Sequence, residues 1–405
     1  MDMGPIILAI PVFFGLIVIE LLFQHWKKDN HYRLSDAITN ISCGIIQQLS
    51  GFFLTIVSVG VYVFIYEYLR IWTISNNWWT FLILFILVDL CYYWAHRKSH
   101  EVSLFWGGHV VHHQSEDYNL SVALRQSSFQ IFFTFFFYFP LAVIGFDPKY
   151  FVLANAFGTL YQFWIHTESI DKMGWFEILF NTPSHHRVHH GKNPKYIDKN
   201  HAGVFIIWDK LFGTFQEEEE RPTYGITIPI NSWDPIWANF AHFKSLAKIL
   251  VKVKSPLDGL KVLFNKPGWM PDYMGGPILP SKIDRASYKK YNLPLSLHLS
   301  IYALIQYLFI LAYTAFFMMQ FKGFNSHVQM AGSLFLLFSI WSCSKLLQDK
   351  KWAFKIDAIR CFMSICIAYW FMELTIITSL AFYIVLAILL SSLLYLIILI
   401  RTNGT

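Results

Sequence analysis

The sequence predicts an all-α fold: a multi-pass membrane helical bundle carrying a cytosolic, histidine-rich di-metal cap. Three observations predict it. Apolar residues make up 55% of the 405 residues and charged ones only 14%, against about 25% charged in an ordinary soluble domain. Several apolar runs reach the roughly 20 residues a helix needs to cross a bilayer. Nine of the 16 histidines crowd into three tight groups between His96 and His190, with His166 between the second and third. The net charge of +6 is modest, and an aromatic content of 19% fits interfacial belts and an apolar cavity better than nucleic-acid binding. Cys43, Cys91, Cys343, Cys361 and Cys366 lie in or beside apolar runs without metal spacing, so they read as small buried hydrophobes.

In chain order, a first span is expected at Ile6–Phe23, an anchor because no positive leader or small-residue cleavage site accompanies it. Further spans follow at Ile41–Tyr68 and Trp78–Ala95, the latter running directly into the first histidine box. Phe129–Phe146 and Tyr150–Ile165, parted by Asp147-Pro148, predict a helical hairpin. Thr167–Leu293 has no spanning run. It holds the third box and an acidic run, Glu217–Glu220, read as a solvated loop. Trp237–Lys254 mixes aromatic and lysine residues as a helix lying on a membrane does. Four more spans are expected at Leu295–Phe321, Val328–Leu347, Ile356–Phe371 and Leu374–Ile400, with no ionisable cluster and no metal ligand among them. The domains are therefore 1–77, N-terminal transmembrane helices; 78–230, the histidine-box domain; 231–293, a cytosolic interfacial segment; and 294–405, C-terminal transmembrane helices. If all boxes face one side, that side collects 29 of the 32 Lys and Arg, which makes it the cytosol. The localisation that follows is a multi-pass membrane protein with its metal site on the cytosolic face, in the endoplasmic reticulum of a eukaryote or the inner membrane of a bacterium.

The boxes carry the chemistry. They read His96-Arg-Lys-Ser-His100, His109-Val-Val-His112-His113 and His186-Arg-Val-His189-His190. Residues at i, i+3 and i+4 share a helical face, so each box can aim its imidazoles at one point. Eight imidazoles exceed what one four-coordinate zinc requires and suit two metals. Histidine-rich sites without cysteine accept iron, zinc or copper, and zinc has no redox chemistry for activating dioxygen. Asp89 shares a face with Tyr93, His96 and His100. An acid in a membrane helix needs a partner, and a hydrogen bond from a ligating imidazole is the expected one. A site at the membrane surface is placed to receive a lipid substrate from the bilayer.

The three boxes, spaced HxxxH, HxxHH and HxxHH, resemble the integral-membrane fatty acid hydroxylase and sterol desaturase superfamily. Longer strings point to its ether-lipid branch: Trp94-Ala-His-Arg97, His109-Val-Val-His-His-Gln-Ser-Glu-Asp-Tyr-Asn-Leu120, Ala123-Leu-Arg-Gln-Ser127, Tyr161-Gln-Phe-Trp-Ile-His-Thr-Glu168, Asn181-Thr-Pro-Ser-His-His-Arg-Val-His-His-Gly191 and Ile207-Trp-Asp-Lys-Leu-Phe-Gly-Thr-Phe215. The resemblance runs from about residue 80 to 230. It implies two iron ions, dioxygen as co-substrate, tetrahydrobiopterin as reductant and alkylglycerols as substrates, hydroxylated next to the ether oxygen to release a fatty aldehyde. By position the implied ligands are His96, His100, His109, His112, His113, His186, His189 and His190. His166 is the ninth by analogy, and Gln162 stands one turn before it where some relatives carry another histidine. His185 is expected to support these ligands, and Glu101 to serve catalysis.

Two further readings fit the same residues. One is a sterol or fatty acid hydroxylase or desaturase fed by another electron-transfer partner. The other is a non-catalytic membrane protein whose metals only stabilise the cap.

Overall fold

In the computed structural model, which describes residues 5–373 and 377–402, regular structure is helical apart from two isolated bridges. The chain divides into two compact units, Met1–Asn231 with Trp237–Lys290, and Ser232–Ile236 with Tyr291–Thr405.

The first unit opens with three long apolar helices, α1 (Pro5–Lys27), α2 (Leu34–Leu69) and α3 (Trp78–Glu101). A capping box starts α3. The Asn77 side chain accepts from the Trp79 and Thr80 amides while Thr80 Oγ1 accepts from the Asn77 amide. Short helices then carry the remaining boxes: α4 (Val110–His113), α5 (Pro148–Trp164), α6 (Pro183–His190) and α7 (Ile207–Phe212). The helix α8 (Pro235–Leu250) follows. Its ring faces meet the Phe-rich run, with Phe243 5.3 Å from Phe129 and Phe240 5.2 Å from it. The core joins α2, α3 and α5 through Tyr62, Leu84, Val88, Phe151 and Ala154.

The expected hairpin forms only in part. Phe129–Phe146 breaks into Gln130–Thr134, a 3-10 turn Phe135–Tyr138, and Phe139–Ile144. Pro140 lacks the amide that a continuous helix would use. Gly145 ends the segment at φ 108°, where a Cβ would lie 1.8 Å from the Trp72 carbonyl oxygen, so glycine is required on both counts.

The second unit holds α9 (Leu297–Gln320), α10 (Ser326–Leu347), α11 (Ala353–Glu373) and α12 (Ser379–Thr402). Among the described residues, six helices are long and apolar enough to cross a membrane: Ala9–Lys27, Leu34–Leu69, Trp78–Glu101, Leu297–Gly323, Ser326–Leu347 and Ser379–Ile400. The start of the last expected span, Leu374, lies outside the described residues. The chain is thus a multi-pass helical membrane protein.

One expectation about the second unit and one about the cysteines are corrected. An ionisable cluster does exist there. Asp357 accepts from Arg360 Nε at 2.6 Å, from Tyr302 at 2.6 Å and from Ser342 at 2.9 Å, while Arg360 also donates to Gln306 at 2.6 Å. Residues scattered over three helices meet because each helix turns one or two polar positions inward, which no local pattern announces. Cys366 is exposed and Cys91 half-buried, whereas Cys43, Cys343 and Cys361 are buried as expected. An exposed thiol on an apolar helix can still face lipid.

Asp357→Ala leaves the Arg360 guanidinium buried without its counter-charge. The expected loss is about 3–5 kcal/mol, read as a lower unfolding midpoint of the detergent-solubilised chain. An unchanged midpoint would show that the knot does not hold the helices.

Candidate metal centre

Four elements aim histidines at one region. The last turn of α3 presents His96 and His100, α4 and its cap present His109, His112 and His113, and α6 presents His186, His189 and His190. His166 follows the end of α5. Pro183 at the first position of α6 costs no hydrogen bond there and presets the helical φ. All nine expected ligands converge, and they do so as two groups. His96, His100, His109, His113 and His189 form one, and His112, His166, His186 and His190 the other, with the ligand nitrogens of each group within 4.8 Å of one another.

The distances test whether a metal fits. In the five-histidine group, His109 Nε2 lies 2.9 Å from His96 Nε2 and 3.1 Å from His113 Nε2. In the four-histidine group, His166 Nε2 lies 3.2 Å from His112 Nε2 and 3.0 Å from His186 Nε2, and His190 Nε2 lies 3.2 Å from His186 Nε2. With metal–nitrogen bonds of about 2.1 Å, neighbouring ligands sit about 3.0 Å apart at right angles and about 3.4 Å apart in a tetrahedron. The observed edges lie between about the right-angled spacing and just short of the tetrahedral one, so each group is spaced to hold a metal. His100 Nε2 and His189 Nε2 are buried without any hydrogen-bond partner, as inward lone pairs reserved for a cation would be.

The outer nitrogens fix the tautomers. His96 Nδ1 donates to the His201 carbonyl at 2.7 Å, His112 Nδ1 to Arg125 at 3.0 Å, His166 Nδ1 to Gln162 at 2.7 Å and His189 Nδ1 to Lys199 at 2.9 Å. A carbonyl only accepts, so each of these rings carries its proton outside and its lone pair inside.

The residues bearing two of those carbonyls, His201 and Arg125, are held in turn through buried charges. Asp209 accepts from the His201 and Ala202 amides, both at 2.8 Å, and so fixes the loop that meets His96. Arg125 donates to the Val111 carbonyl at 2.6 Å, to Asn40 at 3.0 Å and to Gln114 at 2.9 Å, tying the second box to α2. Arg187, inside the third box, grips Glu218 through two bonds of 2.8 and 2.7 Å. The acidic run is therefore not a mere solvated loop. Glu218 is buried as the counter-ion of Arg187, and Glu220 accepts from Asn193 at 3.0 Å.

Asp89 also departs from expectation. Its carboxylate accepts from the Val204 and Phe205 amides at 2.8 and 2.9 Å and from Trp208 Nε1 at 3.0 Å. Seven residues of helix separate it from His96, about 10 Å, too far for a carboxylate to reach the ring. Glu101 is bound by Arg97 at 2.8 Å and Lys98 at 2.5 Å. Gln162 donates to the Gly158 carbonyl at 3.1 Å, and its group has four imidazoles rather than five. His185 stays outside both groups, its ring 5.4 Å from Phe215. His201 was not anticipated. It is fully buried, its ring is 5.0 Å from His100 and 5.6 Å from His189, and neither ring nitrogen meets hydrogen-bond geometry. As a single histidine without an i+3 or i+4 partner, it gave no local signal.

Burial keeps the imidazoles neutral. It pushes His112 down to about 4. His109, His113, His166, His186, His189 and His190 lie well below the usual range, first from burial and then from neighbouring imidazoles.

Comparison with known proteins agrees with this geometry. Residues 81–214 match the fatty acid hydroxylase family. The chain is 38% identical over 362 residues to alkylglycerol monooxygenase of Homo sapiens, covering 88% of this chain and 80% of that protein. It is 36% identical over 360 residues to alkylglycerol monooxygenase of Danio rerio, covering 87% and 80%. Over 147 residues it is 27% identical to an ornithine lipid hydroxylase of Rhizobium tropici, covering 35% and 44%. No solved structure matches the chain. Fold and site together define a histidine-box membrane hydroxylase. Within that class, the chain belongs to the alkylglycerol monooxygenase family.

Two outcomes follow. His96→Ala, His112→Ala and His189→Ala should each lower bound metal and abolish turnover; full metal in any one of them removes that residue from the site. Unfolded imidazoles protonate near pH 6.5, while the folded ones resist until about 4 for His112. Proton uptake on unfolding therefore favours the unfolded chain as pH drops through this window. Bound metal and unfolding midpoint should fall together from pH 6.5 toward 4, and a flat profile would contradict the neutral cluster.

Proposed function

We propose that the two histidine groups hold two iron ions and that the chain cleaves the ether bond of alkylglycerols. The supporting observation is the convergence of nine buried, neutral imidazoles in a chain of this family. Iron held there would supply the redox chemistry for dioxygen activation that zinc lacks. Tetrahydrobiopterin provides the electrons in this reading. One oxygen atom enters the chain carbon next to the ether oxygen, and the other leaves as water with two protons and two electrons. The resulting hemiacetal collapses to a fatty aldehyde and a glycerol derivative.

The protein's part is to bind and align. A small open cleft of about 20 Å³ between α3 and α5 is lined by Phe85, Val88, Asp89, Tyr92, Asn155, Gly158, Thr159 and Gln162. Tyr92 is one helical turn before His96, and Gln162 one turn before His166, so the cleft points at both histidine groups. It is assigned as the place where the substrate chain approaches the metals, the void being too small to hold a whole alkyl chain. Glu101 acts as a positioning residue: it holds Arg97, whose guanidinium donates to the Tyr93 hydroxyl at 3.0 Å and the Phe212 carbonyl at 3.3 Å beneath the first box. The Lys and Arg distribution supports a cytosolic face for the metals.

The deciding assay measures aldehyde release from alkylglycerol by iron-loaded protein in lipid nanodiscs, with and without tetrahydrobiopterin. Turnover only with another donor would replace the reductant. Products from sterols or fatty acids alone would replace the substrate, and absence of dioxygen uptake would leave only a structural metal site. Gly158 has open space around the position of its missing Cβ. Gly158→Leu should therefore fold and keep its metal while raising KM for long-chain substrate about tenfold; an unchanged KM removes the chain from this cleft.

A further inference from the structure

The expected cytosolic stretch contains a part that does not sit where a cytosolic cap should. Residues 204–212 pack along α3 between Phe85 and Tyr93, and residues 173–180 pack on residues 204–212. Their rings form a row: Phe176 lies 4.4 Å from Phe180, Phe180 5.6 Å from Phe205, and Phe205 6.0 Å from Phe85 on α3. Higher on α3, Asp89 binds the Val204 and Phe205 amides and Trp208, and Tyr93 stacks on Phe212 at 5.3 Å.

The depth of this contact follows from the length of α3. Its 24 residues span about 36 Å, against about 30 Å of hydrocarbon. Its far end is marked by Trp78 and Trp79, stacked at 3.5 Å and both exposed, as residues of an interfacial belt are. At most about 6 Å of the histidine end can then project from the hydrocarbon. Asp89 is twelve residues before Glu101, about 18 Å along the helix. Whatever binds Asp89 therefore lies about 12 Å inside the apolar layer.

We propose that residues 173–180 and 204–212 form a re-entrant shelf immersed in the acyl chains of the leaflet on the metal side. Two independent features fit that occupant. The shelf turns outward Trp175, 80% exposed, with Ile178 and Leu211, each 68% exposed. Water would be a poor neighbour for this patch, and Ile83 on α3 is likewise exposed, at 52%. Irregular backbone at membrane depth must also have its polar groups satisfied within the protein. Here Asp89 takes two amides, Ile206 donates to the Leu179 carbonyl at 3.0 Å, Asn181 donates to the Val204 carbonyl at 2.8 Å, and Lys210 caps the Glu177 and Ile178 carbonyls at 3.0 and 2.8 Å. Lys210 is itself exposed, its ammonium held by these two carbonyls. The shelf joins the cleft at Gly203, where any Cβ would lie 2.7 Å from Asp89 Oδ1 and 2.9 Å from Tyr92 Cδ1. The shelf thus sets one wall of the cleft at the level of the lipid chains.

Spin labels test the immersion in iron-loaded, full-length protein in nanodiscs, with Cys366→Ser removing the exposed thiol. Ile178→Cys and Leu211→Cys are labelled separately. Ile83→Cys serves as the lipid reference and Glu217→Cys as the aqueous one. Collisions with dioxygen should exceed those with a water-soluble nickel chelate severalfold at both shelf positions, as at position 83. Nickel accessibility like that of position 217, at either shelf position, overturns the proposal. If a labelled chain loses its iron, the unmodified chain is reacted with a vesicle lipid carrying a photoactivatable group in mid-acyl chain. Adducts on 173–180 or 204–212 support immersion; adducts confined to the long helices refute it.

Discussion

The constraint on which this structure depends is the neutrality of nine imidazoles buried within a few ångströms of one another. A protonated ring there would face other rings and two buried guanidiniums in a poorly hydrated interior. The protein meets the constraint with geometry. At His96, His112, His166 and His189 the outer nitrogen is committed to a backbone carbonyl, which leaves the inner lone pair free. One of those carbonyls, on Gln162, belongs to the end of α5; the other three belong to loops, and loops hold position only when something pins them. Asp209, Arg125 and the Arg187–Glu218 pair do so, and each is buried itself.

The same requirement ties the site to the membrane helices beside it. Asp36 and Asn40, in the first turns of α2, bond to Ser115, Ser121 and Arg125. Glu20 near the end of α1 accepts from the Leu120 amide at 2.9 Å and from Tyr32 and Thr167. An acid on an otherwise apolar helix is costly in lipid, and here each one finds donors on the histidine-bearing segments. The ends of α1 and α2 thus hold the histidine-bearing segments in place.

Buried polar groups recur in both units under the same rule. Asp89 satisfies backbone amides along α3, and Asp357 with Arg360 satisfies a tyrosine, a serine and a glutamine among α9, α10 and α11. Neither group touches the histidines. Their chemistry is that of membrane interiors, where a polar atom without a partner is more costly than in a hydrated fold.

The sequence by itself determined the helical membrane class, because long apolar runs have few alternatives in a bilayer. It also determined the nine converging histidines, because i, i+3 and i+4 spacing is a local geometric fact that survives into the fold. What it could not settle depended on partners far along the chain. The pairing of Arg187 with Glu218, the 5.0 Å approach of His201 to His100 and the capture of Asp89 by Val204 all join segments whose separation in space carries no periodic signal. The split of the nine histidines into five and four has the same origin. His112 and His113 are adjacent in sequence yet serve different groups, since consecutive residues of a helix point about 100° apart and only the packed arrangement of α3, α5 and α6 decides which group each one meets.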